Sequence, residues 1–174
     1  MKIMQTLLLG ACAAMLFSSC GASYQTKRSA EKEAERAANV QAIMEPDFIL
    51  DINQIIPFGF PSRSSTGEYA LRLEGNVVTT RLPFIGVAYD VQYPGTDEMS
   101  IVFEKESVQL SKDFSKASKG EYTYMFTGGK GQEKWTVTLH LYDSGSATIF
   151  CAGSHGRQMN YFATLNIPDK NAAQ

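Results

Sequence analysis

Beyond residue 47 apolar side chains recur at every second position in short runs separated by turn residues, and that pattern predicts a mainly β protein. The expected architecture is an antiparallel meander forming a sandwich or an up-and-down barrel, with one N-terminal α-helix. Three observations carry this expectation. Trp135, Val137, Leu139 and Leu141 make one apolar face while Thr136, Thr138 and His140 make the other, as in a strand buried on one side. Successive runs lie one short turn apart, so neighbours in sequence pair as hairpins. The convincing helical stretch, rich in Ala, Glu, Lys, Arg and Gln, precedes all the strands.

The chain opens with the three parts of an export signal: Lys2, an apolar run over residues 7–17, and the small residues Ser18 and Ser19. A helix needs about 20 apolar residues to span a bilayer. This run is shorter, and Lys27, Arg28 and Glu31 follow it closely, so residues 1–19 read as a cleaved signal peptide. Leu16-Phe17-Ser18-Ser19-Cys20 resembles the lipobox of bacterial lipoproteins, with Phe17 in the place that leucine usually takes. Cleavage before Cys20 and lipidation of that cysteine would hold the chain to a membrane. Cys12 leaves with the signal, so Cys151 is the one thiol of the folded part and no internal disulfide is expected. Stability then has to come from the core, which the part of the 174-residue chain left after removal of residues 1–19 is long enough to build as one domain.

Residues 20–28 read as a lipidated tether. Those from 21 to 26 are small and polar, and at about 3.3 Å per extended residue they reach roughly 20 Å. A helix is expected over 29–45, with Ser29 as cap, Glu31 and Glu33 in the first turn where the dipole favours acids, and Pro46 as stop. Its apolar stripe, Ala30, Ala34, Ala37, Ala38, Ile43 and Met44, strengthens toward the end and predicts docking by the C-terminal half. The antiparallel β domain spans 46–168 and begins with Phe48, Leu50 and Ile52. Tyr69, Leu71 and Leu73 lead through the Gly75-Asn76 turn into Val78, Thr80 and Leu82. Residues 120–127 pair with 133–142 through Gly128-Gly129-Lys130-Gly131, and 133–142 pair with 147–152 through Asp143-Ser144-Gly145. A last strand covers 158–167, and 169–174 are expected to form a disordered tail.

The order of these features resembles a known family. The lipobox, the Ala/Glu-rich helix, a strand ending at Pro57, Tyr69-Ala70-Leu71-Arg72-Leu73 and Leu82-Pro83-Phe84-Ile85-Gly86 are followed by Arg157-Gln158 and a last strand holding Tyr161. This set is similar to the small lipoproteins of anaerobic Gram-negative gut bacteria grouped as domain of unknown function 4251. The resemblance covers most of the mature chain and implies export and a β fold. It implies no activity, because the family's function is unassigned. Gly21-Ala22-Ser23 lacks the acidic stretch that resembles a surface-export signal in such bacteria, so the expected location is the periplasmic face of the outer membrane.

Candidate chemistry is sparse. Cys151 lies four residues before His155, and a thiol near an imidazole is the minimum for nucleophilic catalysis. Cys151 also sits in the apolar run Thr148-Ile149-Phe150-Cys151-Ala152, where a free cysteine behaves as a small buried hydrophobe, and this reading is preferred. A metal site needs several converging ligands, and the two histidines, His140 and His155, fall in different elements. Asp97-Glu98 follows Pro94-Gly95-Thr96 and reads as turn chemistry. Gly128-Gly129-Lys130-Gly131 leads into a strand rather than a helix, so it reads as a hairpin tip and not as a phosphate loop. The formal net charge is −2, and no basic cluster follows the helix, so nucleic acid is not an expected partner.

Aromatics are the compositional surplus: Tyr122, Tyr124, Phe126, Trp135, Tyr142, Phe150, Tyr161 and Phe162 all fall on expected strands. Half of any strand faces inward, so most belong to the core. In a closed barrel some would line a cavity. The function expected is that of a non-enzymatic envelope lipoprotein without cofactor or metal, binding or bracing another envelope component. The alternative is a β-barrel carrier of a small apolar ligand. In both readings the membrane is a partner through the lipid on Cys20.

Overall fold

A computed structural model of the protein describes residues 20–65, 69–85, 100–129 and 134–168, with side chains from residue 27 onward except that of His155. The expected signal peptide and tail, the Asp97-Glu98 turn and the Lys130-Gly131 part of the hairpin tip lie outside the described residues. The chain divides into two compact units, 1–36 and 37–174.

Helix α1 spans Cys20–Met44. Its backbone is helical through 20–28, where the small polar composition predicts a flexible tether, and Ser29 lies inside the helix rather than at its cap. Cooperativity accounts for the difference. Once the Ala-, Glu- and Lys-rich turns have formed, each further residue adds a hydrogen bond at little cost, and in 21–28 only Gly21 opposes this strongly. Within the second unit, Asn39, Ala42 and Ile43 are buried at i, i+3 and i+4 spacing. Met44, expected on that side, is 51% exposed.

The strands are β1 (Asp47–Pro57), β2 (Arg63–Ser64), β3 (Ala70–Glu74), β4 (Val77–Pro83), β5 (Ser100–Ser107), β6 (Ser111–Asp113), β7 (Glu121–Gly128), β8 (Trp135–Tyr142), β9 (Ser146–Gly153) and β10 (Gln158–Asn166). Among the described residues they form one antiparallel sheet in the order β5-β4-β3-β1-β10-β9-β8-β7-β6, with the short β2 also paired to β1. With β2 set aside, each strand lies beside its neighbour in sequence, and the first and last strands pair with each other. One break interrupts this ring, between β5 and β6, so the order is that of an up-and-down barrel opened along one seam. The sheet is a curled half-barrel.

Alternation places the core. Leu71 and Leu73 of β3, Ile101 and Phe103 of β5, Tyr122, Tyr124 and Phe126 of β7, and Met159, Tyr161 and Leu165 of β10 all point to the buried face. Trp135, Val137, Leu139 and Leu141 do the same from β8, on the face that their spacing predicts. In β1 the period breaks: Phe48, Leu50 and Ile52 are buried, and the next buried side chain is Ile55. The pairing with β10 shifts at Asn53, a β-bulge that adds one residue and returns the apolar residues to the inner face. Two tyrosine hydroxyls in this core are satisfied by backbone. Tyr161 donates to the Pro83 carbonyl at 2.8 Å, and Tyr124 donates to the Ile43 carbonyl at 2.5 Å, which occupies one of the orphan carbonyls at the end of α1.

Candidate functional site

Cys20, the expected lipid acceptor, is the first residue of α1, and its side chain lies outside the described residues. Cys151 faces inward from β9, paired with Val137 and Met159, and is fully buried. Burial pushes its thiol up to about 12, so at neutral pH it is a neutral thiol rather than a nucleophilic thiolate. The Tyr161 hydroxyl is also shifted upward, first by burial and then by its neighbour Cys151. His155 belongs to a 3-10 turn, Ser154–Gly156, beyond the end of the strand. The imidazole lies outside the described residues, and a buried thiol with a raised pKa is unlike the thiolate of a cysteine–histidine pair.

The remaining candidates have local explanations. His140 projects from the outer face of β8, with Nδ1 3.3 Å from Thr123 Oγ1. Among the described residues no group of three or more His, Cys, Asp or Glu side chains converges as a metal site requires. At the β7–β8 tip the Gly129 amide donates to both carboxylate oxygens of Glu106, at 3.2 and 3.1 Å. An amide that a phosphate loop would turn toward its ligand is here engaged by the protein's own carboxylate. Gly128 is required beside it, because a Cβ there would lie 2.7 Å from Phe103 and from Glu106 Oε1.

Arg157, singled out in the sequence as part of Arg157-Gln158, has a structural place. Its guanidinium lies 5.3 Å from the Trp135 ring centre and 5.8 Å from that of Phe84, and its Nε donates to the Ser154 carbonyl at 3.2 Å. It thereby ties the 3-10 turn to the aromatic end of the core.

The aromatic surplus divides between core and surface. Tyr122, Tyr124, Phe126, Trp135 and Tyr161 fill the interior, whereas Phe162 is 47% exposed and Phe150 is half-buried on the outer face. Strand register places Ile56, Asn160, Phe150, Thr138 and Met125 side by side across β1, β10, β9, β8 and β7. The adjoining row is Gln54, Phe162, Thr148, His140 and Thr123. At roughly 4.8 Å between strands each row is about 19 Å wide. Met125, at 46% exposure, and Phe162 are the most exposed apolar side chains of these rows, beside Ile56, Phe150 and His140 and among threonine and amide side chains.

Two hollows of the described surface are open rather than enclosed. One of about 420 Å³ lies over the outer face of β3, β4 and β5, between Arg72, Arg81, Val102 and Glu104. Another of about 460 Å³ lies along Leu110, Ser111, Met125 and Thr127. The open seam itself is guarded. β6 has three residues, two of them the charged Lys112 and Asp113. On β5 the register shifts opposite Glu104 and Lys105, and Lys105 takes a left-handed backbone with φ 49°. Short length, charge and a bulge are the devices by which edge strands resist added strands.

These features define a small, curled antiparallel β unit with a filled core and an amphipathic outer face. Residues 30–164 match the family described as Domain of unknown function (DUF4251), and the chain belongs to it. It is similar in fold to a DUF4251 family protein from Bacteroides eggerthii DSM 20697, known from its crystal structure, with 16% identity and a TM-score of 0.55 over 80% of this chain and 91% of that one. No curated protein matches the chain.

Proposed function

We propose that the protein is a non-enzymatic lipoprotein of the cell envelope, held by lipid on Cys20 at the periplasmic face of the outer membrane, and that its β unit binds or braces another envelope component. The observation that carries the binding role is the outer face of β7–β10, where Met125 and Phe162 are exposed beside the half-buried Phe150 and the threonines of paired neighbouring strands. A surface of this kind suits a protein partner, whose own apolar side chains would cover the rings while its polar groups meet the hydroxyls. The guarded seam directs the partner to the face rather than to an added-strand position.

Two further points support the reading. Cys151 is buried with its thiol pushed up to about 12, unlike an activated thiolate, and aromatic side chains occupy the interior that a carrier of apolar ligands would need open. Among the described residues no helix is long and apolar enough to cross a membrane, and the attachment proposed at Cys20 rests on the lipobox-like Leu16-Phe17-Ser18-Ser19-Cys20 segment. The test of attachment is intact mass and membrane fractionation of the wild-type chain and Cys20→Ala. Acyl mass on Cys20 and release of Cys20→Ala from membranes are expected. An unmodified Cys20, or a Cys20→Ala chain that stays bound as before, would overturn the anchor.

A further inference from the structure

Between β1 and β2 the chain makes a turn, Pro57-Phe58-Gly59-Phe60-Pro61, that sets two aromatic rings in solvent. Phe58 is 75% exposed and Phe60 46%. Strand alternation cannot explain them, because neither lies in a strand and neither packs on the core. The turn is well braced from below: Gln54 Nε2 donates to Ser62 Oγ at 3.2 Å, the Ser65 amide donates to the Asn53 carbonyl at 2.9 Å, and β2 pairs with Gln54 and Ile55. Gly59 sits at φ 80°, a left-handed position that glycine takes without strain.

From this geometry we infer that the Phe58-Gly59-Phe60 turn inserts into the interfacial layer of a lipid bilayer, as a second membrane contact separate from Cys20. Area favours lipid over a protein groove. Two phenylalanines offer about 150–250 Å² each, against roughly 800 Å² that each partner gives to a standard protein interface. A bilayer needs no complementary shape, so two convex rings suffice for weak insertion. The backbone also suits that medium. Pro57 and Pro61 carry no amide hydrogen, and the Phe60 amide donates to the Pro57 carbonyl at 3.4 Å, which lowers the number of unpaired amides that enter a water-poor layer with the rings. The one charge in residues 57–65 is Arg63, which complements anionic headgroups and is placed at the base of the turn rather than at its tip.

The inference rests on the envelope location proposed above, and its test is independent of the acyl anchor. The chain carrying Cys20→Ser, which cannot be acylated, is mixed with vesicles of phosphatidylethanolamine and phosphatidylglycerol and followed by flotation. Binding is expected, and Phe58→Ser/Phe60→Ser lowers it roughly tenfold or more while the circular dichroism of the sheet is unchanged. With Phe58→Trp, indole emission shifts to the blue on vesicle addition and is quenched by brominated lipid. Vesicle binding that is absent, or equal in the doubly substituted chain, overturns the inference. So does an indole that stays water-exposed with vesicles and shifts only with lipid-free envelope protein, which would assign the rings to a protein partner. Acylation of the wild-type chain is read separately by mass, so failure of the turn and failure of the anchor are distinguishable.

Discussion

Tyr124 joins two levels of the structure at one atom. Its ring stands in the core between Phe48 and Phe114, and its hydroxyl reaches the Ile43 carbonyl at the end of α1. Tyr124→Phe keeps the ring and removes the donor, so a carbonyl that cannot turn to water is left short of a partner. The expected loss is about 1 kcal/mol in urea unfolding. An unchanged midpoint would mean that the bond contributes nothing net. Cys151 makes a prediction about pH. Its folded pKa is raised from the ordinary 9.0 to about 12, so the native state keeps a proton that the unfolded chain releases. The stabilising contribution is complete below about pH 9 and is lost as pH rises toward 12, and burial of Tyr124, also pushed up to about 12, adds to the same loss. Unfolding free energy measured from pH 8 to 11 should fall steeply, and the fall should be shallower in Cys151→Ala. A flat profile would contradict burial of the thiol.

At the scale of elements, the clearest strands were readable because one rule applied without interruption. In β8 the alternation of Trp135, Val137, Leu139 and Leu141 with Thr136, Thr138 and His140 leaves one way to bury the apolar half. In β1 the same rule stops after Ile52. The three-residue step to Ile55 signals a bulge at Asn53, and alternation alone does not say whether such a step is a bulge or a strand end. The start of α1 differs from the expected one for a related reason, since capping residues such as Ser29 mark helix ends only where propagation fails, and here it continues back to Cys20. Close approach explains a further position. A Cβ at Gly153 would lie 2.6 Å from Cζ3 of Trp135, a ring held under the Arg157 guanidinium, so Gly153→Ala should cost about 1–3 kcal/mol through displacement of that stack. Thermal unfolding and the near-ultraviolet signal of the single tryptophan would report it. An alanine variant as stable as the parent, with the same spectrum, would mean that the ring gives way freely.

For the molecule as a whole, the pairing of β1 with β10 decides the topology, and no local pattern announces it. Asn53 reaches Thr164, 111 residues away, and such distant closure is invisible to a reading made of neighbouring hairpins. The same feature makes folding depend on long loops closing before the sheet is complete, which predicts refolding in milliseconds to seconds rather than microseconds. Stopped-flow refolding checks this, and a microsecond phase carrying the full amplitude would contradict it. The candidate site was only partly foreseen. Burial of Cys151 is legible in the sequence, because its apolar strand neighbours outweigh one nearby histidine. The outer face of Phe162 and Met125 was not foreseen, because aromatics on strands read as core until register assigns each to a side.

That face is also where the proposed role is most open to contradiction. The direct measurement is photocrosslinking in native membranes from a benzophenone amino acid placed at Phe162 or at Met125, with Arg81 on the outer face of β4 as the comparison position. One discrete adduct, shared by the two face positions and absent from the Arg81 position, is the predicted result. The same adduct pattern from all three positions, or none from Phe162 and Met125, would contradict binding through the outer face of β7–β10.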